Sequence, residues 1–186
     1  MGPLEVLWAI VVIFFLFIAF ARGYGNELGV TTLIFVALFI ITEFAQDYLP
    51  RIMTAVLQRT GGVIDDRASD HLLSTLLSVI FISILFASYA GATFTLPGIS
   101  NRRNNLLNVL VGLLNGYLVA GTLWYFQDYY RYPVADFTNS AGEPLLLDLP
   151  LTPLAENLAN FLPPYVVPPL FWAAMVMLLL LFRVRR

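Results

Sequence analysis

Residues 4–21 read LEVLWAIVVIFFLFIAFA, an apolar run whose one charge is Glu5. A bilayer core about 30 Å thick is crossed by roughly 17–25 helical residues, so this stretch is long enough to span it. Four further runs repeat the pattern: Leu28–Ala45, Leu72–Thr95, Leu106–Phe126 and Val166–Phe182. The expected fold is therefore all-α. It is a polytopic membrane bundle of four core transmembrane helices plus a fifth C-terminal one, with amphipathic interfacial helices beside them; the alternative is a four-span bundle whose last run lies in the interface. Residues 1–130 would form the core, 131–167 an outer loop with a short amphipathic helix, and 168–186 the last helix with an Arg-rich tail.

Composition agrees with that solvent. The chain is 59% hydrophobic and 12% charged, with mean hydropathy +0.80, where a soluble domain carries about 25% charged residues. Without Cys, and with His71 as the one His, thiolate chemistry and multi-His metal sites are excluded. All ten basic residues are Arg, so no Lys serves a Schiff base or a P-loop. A net charge of −2 without a basic stripe argues against nucleic acid. No cofactor is implied, and a lone His supports no Ser-His-Asp set. The first run ends in Ala19-Phe20-Ala21, which fits a small-x-small cleavage pattern. However, Met1–Glu5 lacks the positive charge of a secretory leader and Arg22 follows the run, so a retained helix is expected.

Orientation follows from charge and aromatics. With the N-terminus outside, Arg22, Arg102, Arg103, Arg183, Arg185 and Arg186 lie inside, while Arg51, Arg59, Arg67 and Arg131 lie outside among most of the acids. Trp8, Trp124 and Trp172 then all fall at the outer boundary, where Trp rings prefer to sit. The C-terminus is cytoplasmic in this scheme. The expected surroundings are the lipid bilayer, with further copies of the chain or other membrane proteins as partners.

The fourth run carries the most suggestive constellation. Asn101, Asn105, Asn108, Gly112, Asn115 and Thr122 recur at spacings of three, four or seven, near one helical face. Gly112 and Gly116 form a small-xxx-small pair that lets another backbone approach closely. The stripe reads either as helix packing through Asn glue or as the lining of a polar path. The third run carries Ser74, Thr75, Ser78, Ser83, Ser88, Gly91 and Thr95. Its hydroxyls are expected to bond their own backbone, and a turn at Pro97-Gly98 would join the two runs into one polar hairpin. The greasier first and second runs should face lipid more.

Several polar segments remain. Tyr48–Arg59 is amphipathic, too short and polar to span, and expected as an interfacial helix ended by Gly61-Gly62. Thr152 should cap a helix opening at Pro153, with Leu154, Leu158, Phe161 and Leu162 as its apolar face. Both segments could cover the outer mouth of the bundle. Asp65-Asp66-Arg67-Ala68-Ser69-Asp70-His71 invites a metal reading, but a diphosphate-binding Mg²⁺ site needs a second acidic motif. Capping of the third helix by Ser69 and Asp70 is the simpler expectation. Glu27 and Glu43 bracket the second run, and Glu43 would reach water or pair with Arg51.

Two stretches resemble the colicin V production (CvpA) family. Arg22-Gly23-Tyr24-Gly25-Asn26-Glu27 resembles that family's Arg-Gly-aromatic-x-Arg-Glu turn. Gly98–Leu118, with Gly112 and Gly116, resembles its Asp-Arg followed by Gly-x-x-x-Gly-x-x-Arg-Gly helix. Where the family carries Arg, Asp, Arg, Gly and Arg, this chain has Asn26, Asn104, Asn105, Asn108 and Asn115. The resemblance covers roughly residues 5–162, and the fifth run exceeds the four-spanning family core. It implies a small, non-enzymatic bacterial inner-membrane protein linked to toxin production or export and to envelope maintenance. It singles out Arg22, Gly23, Tyr24 and Glu27 as the turn.

Overall fold

The structure, a computed structural model, describes residues 4–61, 65–90, 105–147 and 149–184. Helix α1 (Leu4–Arg22) stops at Gly23, whose φ of 81° is open to glycine and costly to other residues. The reversal is immediate: α2 (Tyr24–Ile40) starts on the next residue. It runs through a π-helical turn (Ile41–Ala45) straight into α3 (Gln46–Thr60), which ends on Gly61 at φ 68°. The segment expected as a separate interfacial helix is thus continuous with the second span in one helix of 36 residues, and it keeps its amphipathic character. Pro50 lies within it and supplies no amide hydrogen.

Helices α4 (Asp66–Ala90) and α5 (Asn105–Tyr129) are 25 residues each, about 37 Å long. With α1 and the long α2–α3 helix they make four helices long and apolar enough to cross a membrane. A short 3-10 turn (Pro133–Asp136), α6 (Pro153–Ala159) and α7 (Pro163–Val166) follow, and they fold back over one end of the bundle. The chain finishes in α8 (Pro169–Val184), 16 residues or about 24 Å, laid along α2 with Trp172 stacked on Phe35 at 5.6 Å. The turn expected at Pro97-Gly98, with Gly91, Thr95, Asn101 and Asn104, lies outside the described residues, as do Gly62 and the tail Arg185-Arg186.

Which helices the protein covers differs from expectation in one case. α1 does face outward, with 17% of its apolar window buried, but α2 is 50% buried, close to the 56% of α5. The reason is position: α2 lies between α5, α4 and α8, and buries Val30, Ile34 and Leu38 among them. Nor do the third and fourth runs form one polar unit. The α4 hydroxyls of Ser78, Ser83 and Ser88 donate to their own backbone at 2.6–2.7 Å, as expected. The polar face of α5 instead closes on α1 and α2. Only Gln127, donating to Ser74 Oγ at 2.9 Å, makes a polar side-chain link from α5 to α4 among the described residues.

The covered end also shifts two local expectations and meets a third. Trp124 and Trp172 sit there but are buried in protein, and the Trp124 indole donates to the Tyr132 hydroxyl at 3.0 Å. The returning chain covers Trp124 through Tyr132, and α2 covers Trp172 through Phe35. Thr152 does cap α6, accepting from Ala155 N at 3.1 Å, and it donates to Glu5 Oε1 at 2.7 Å. The buried side of α6 is Ala155 and Ala159, continued by Leu162, while Leu154 and Phe161 are exposed. Small residues face inward because α6 lies close against α1 and α5.

Candidate functional site

The turn residues and the Asn stripe, far apart in the chain, meet in one buried cluster. Gly112 and Gly116 make this possible. A Cβ at Gly116 would stand 2.7 Å from the Cα of Val12, and one at Gly112 would stand 2.9 Å from the Cα of Leu16. α1 and α5 therefore touch backbone to backbone, as a small-xxx-small pair allows. That contact brings the end of α1, and the Gly23 turn after it, onto the first half of α5. Tyr24 N then donates to Asn108 Oδ1 at 2.8 Å.

Glu27, one turn further along α2, is fully buried. Its Oε2 accepts from Tyr89 OH at 2.9 Å and from Asn115 Nδ2 at 3.1 Å. The same Nδ2 lies 3.3 Å from the Glu27 carbonyl oxygen. Thr31 Oγ1 sits 2.6 Å from Asn115 Oδ1 and 2.9 Å from that carbonyl oxygen, so Asn115 is held at both ends of its amide. Arg22 balances the charge from one side: its Nε is 3.5 Å from Glu27 Oε1, and its guanidinium lies 4.6 Å from the centre of the Tyr89 ring. Glu27 Oε1 has no hydrogen-bond partner. A buried carboxylate is tolerated only when paired and hydrogen-bonded, and here four helices contribute to that.

Eight of the residues singled out in the sequence bear on this cluster, whereas Asn105 is exposed at the start of α5, Thr122 donates to the Leu118 carbonyl, and Asn101 lies outside the described residues. Arg22, Tyr24, Glu27, Asn108 and Asn115 supply polar contacts, Gly23 makes the turn, and Gly112 and Gly116 set the spacing. Tyr89 and Thr31 were not singled out. Thr31 stands four residues after Glu27, on the same helical face, which is a local signal. Tyr89 reaches Glu27 across 62 residues and carries none.

A second ionic cluster lies at the opposite end. Arg67 grips Asp136 with two hydrogen bonds of 2.5 and 2.7 Å and also donates to the carbonyls of Arg131 and Tyr132. His71 Nε2 lies 2.7 Å from Asp136 Oδ2, and Arg131 pairs with Asp70. The Arg67 hydrogen bonds, then that of His71, hold the Asp136 carboxyl down at about 2. The acidic stretch therefore bolts the loop to α4. The helix opens at Asp66, so Ser69 and Asp70 lie inside it rather than capping it. Among the described residues no group of three or more His, Asp or Glu is placed to hold a metal ion. Glu43 is exposed in the π turn, and Arg51 lies over the Tyr48 ring at 5.8 Å instead of pairing with it.

Fold and site together define a helical multi-pass membrane protein with a carboxylate sealed among its helices and paired with a partly exposed guanidinium. No family model, no curated protein and no solved structure matches the chain.

Proposed function

We propose that this chain is a divergent CvpA-like protein of the bacterial inner membrane, N-terminus outside and C-terminus cytoplasmic. It works without catalysis as a channel or transporter component in colicin V-type toxin production, export or envelope maintenance. The observation that carries this reading is the buried Glu27 cluster, where the Arg22–Glu27 turn and the Asn108–Asn115 stripe become one site. An ionisable group sealed inside a membrane bundle is costly, and such groups mark working sites more often than packing alone would require. The cluster joins α1, α2, α4 and α5, so any change at Glu27 is felt by all four.

One observation favours a second reading, that of a structural accessory subunit in a larger membrane complex. Asn108 and Asn115 are filled by partners from α2, so the stripe acts as a lock and lines no open path in this state. The experiment that separates the readings is the native mass of the chain after gentle extraction, for wild type and for Asn115→Leu and Gly112→Leu. A homo-oligomer that both variants disrupt supports a transport component. A defined complex with other proteins supports the subunit. A lone monomer, with export and envelope integrity unchanged in both variants, would count against both.

A further inference from the structure

The returning chain reaches below the end of the bundle. Glu5 and Arg22 are the charges that bound the apolar stretch of α1, so Glu5 marks the membrane boundary at the loop-covered end. Thr152, at the start of α6, donates to Glu5 Oε1 at 2.7 Å. Leu4 shares a cavity wall with Leu123 and Trp124, so the same boundary crosses α5 near those two residues. From there the chain descends. Tyr117 OH donates to the Phe161 carbonyl at 2.5 Å. Tyr117 lies six or seven residues deeper along α5, about 10 Å. Its ring does not swing up to make the bond, because helical side chains lean toward the helix start, here the deeper end. Pro163 then packs on Gly121, where a Cβ would stand 2.5 Å from its Cδ. Tyr165 returns to the level of Asp128 and donates to its Oδ2 at 2.8 Å. Residues 152–165 therefore enter and leave on one side.

α6 presents three faces on its way down. At about 100° per residue, Leu154, Leu158 and Phe161 share one side, Ala155 and Ala159 the next, and Glu156 and Asn160 the third. The first leaves Leu154 57% and Phe161 64% exposed, and the second is buried beside α1 and α5. The third is exposed as well, although it is polar. A carboxylate and an amide facing hydrocarbon at this depth would be costly. Instead both line a cavity of about 470 Å³, together with Asp128, Leu151 and Tyr165. A water takes roughly 30 Å³ in the liquid, so the cavity has room for several. Irregular backbone at membrane depth is tolerated where protein buries it or where it borders such water. Asp128 stays in place through the hydroxyls of Tyr132 and Tyr165, at 2.6 and 2.8 Å. Among the described residues the lining carries two carboxylates and no basic group.

We propose that residues 152–165 are a re-entrant element, and that the cavity beside α6 is a water-filled vestibule that admits small cations to about 10 Å below the membrane boundary. The apolar face of α6 meets lipid, the Ala face meets the bundle, and the Glu156–Asn160 face meets water. Anions are held back by the paired negative charge of Asp128 and Glu156. The vestibule uses no residue of the Glu27 cluster, so it stands or falls separately from the proposed function.

The natural chain has no Cys, so single cysteines can be read one at a time in the full-length protein in lipid nanodiscs. The probes are a cationic and an anionic methanethiosulfonate of similar size, each rate being divided by that reagent's rate with a free thiol in solution. Asn160→Cys and Glu156→Cys should react readily with the cationic reagent. Leu154→Cys and Phe161→Cys should react at least about tenfold more slowly, because a thiol in apolar surroundings resists ionisation. At Asn160→Cys the cationic reagent should outpace the anionic one about tenfold, and adding Glu156→Gln should reduce that preference. Thermal unfolding checks that each variant is folded, and either vestibule position decides the question if the other does not fold. Three results would overturn the proposal. Vestibule cysteines as slow as Phe161→Cys would mean that water does not enter. Leu154→Cys and Phe161→Cys as fast as Asn160→Cys would place the segment outside the bilayer. Equal rates with the two reagents, or a preference for the anionic one, would remove the selection for cations.

Discussion

The two ends of the bundle are both held by ion pairs, and the pairs are of opposite kinds. At one end Glu27 is sealed from solvent, shared among four helices, and given one guanidinium and two hydrogen-bond donors. At the other, Asp136 is 42% exposed yet meets Arg67 in a two-bond grip with His71 beside it. The better geometry belongs to the weaker interaction. Exposed pairs contribute about 0–1 kcal/mol because water competes for both partners. A buried pair gains little over apolar packing, but breaking it strands a charge where nothing else can solvate it. The Glu27 end should therefore be brittle and the Asp136 end forgiving.

That contrast can be broken most directly at Arg22. Arg22→Ala leaves Glu27 buried without its cation, and a loss of about 3 kcal/mol is expected in thermal or denaturant unfolding of the solubilised protein. Adding Glu27→Gln should recover much of it, since the stranded charge is then gone. Gly116→Ala should cost about 1–3 kcal/mol in the same assay, because its methyl would meet the backbone of Val12 and not a movable side chain. Tyr89→Phe removes one donor to Glu27, for an expected loss of about 0.6–2 kcal/mol. Arg67→Gln should change global stability by less than about 1 kcal/mol.

Acid sharpens the same comparison at the exposed end. The Asp136 carboxyl is depressed from the ordinary range near 4 to about 2. The stabilising contribution of its pairs is complete above the ordinary range and fades as pH falls toward about 2. Tryptophan fluorescence should report loosening of the loop over that window, through Trp124 and its Tyr132 partner. In Arg67→Gln the midpoint should move upward, because the Arg67 hydrogen bonds are the largest cause of the depression. An unchanged midpoint would mean that the grip does not hold the loop.

Much of the site was legible before any coordinates. Gly112 and Gly116 at a four-residue spacing announced a close helix contact, and Asn108 and Asn115 on the same run announced buried polar groups. The cap at Thr152 was readable because its partner, Ala155, is three residues away. Tyr89 was not readable, nor was the pairing of Asp70 and His71 with the returning loop, because those partners lie 61–65 residues away. The burial of α2 was missed for a related reason. A membrane helix is apolar on every side, so its composition does not record which face meets lipid and which meets protein.

The amino-acid sequence alone determined that this protein is helical and membrane-spanning, since run length and hydropathy report directly on the solvent each residue must satisfy. It also determined where a backbone could turn at Gly23 and where two helices could touch at Gly112 and Gly116. Only the tertiary structure decided which helix would fill each of those places. It set α1 against Gly116, closed the Asn stripe on α2, and buried Glu27 between Arg22, Tyr89 and Asn115, a contact that spans 88 residues of chain. Side chains that distant share no period or spacing, and they become neighbours only once the helices have packed.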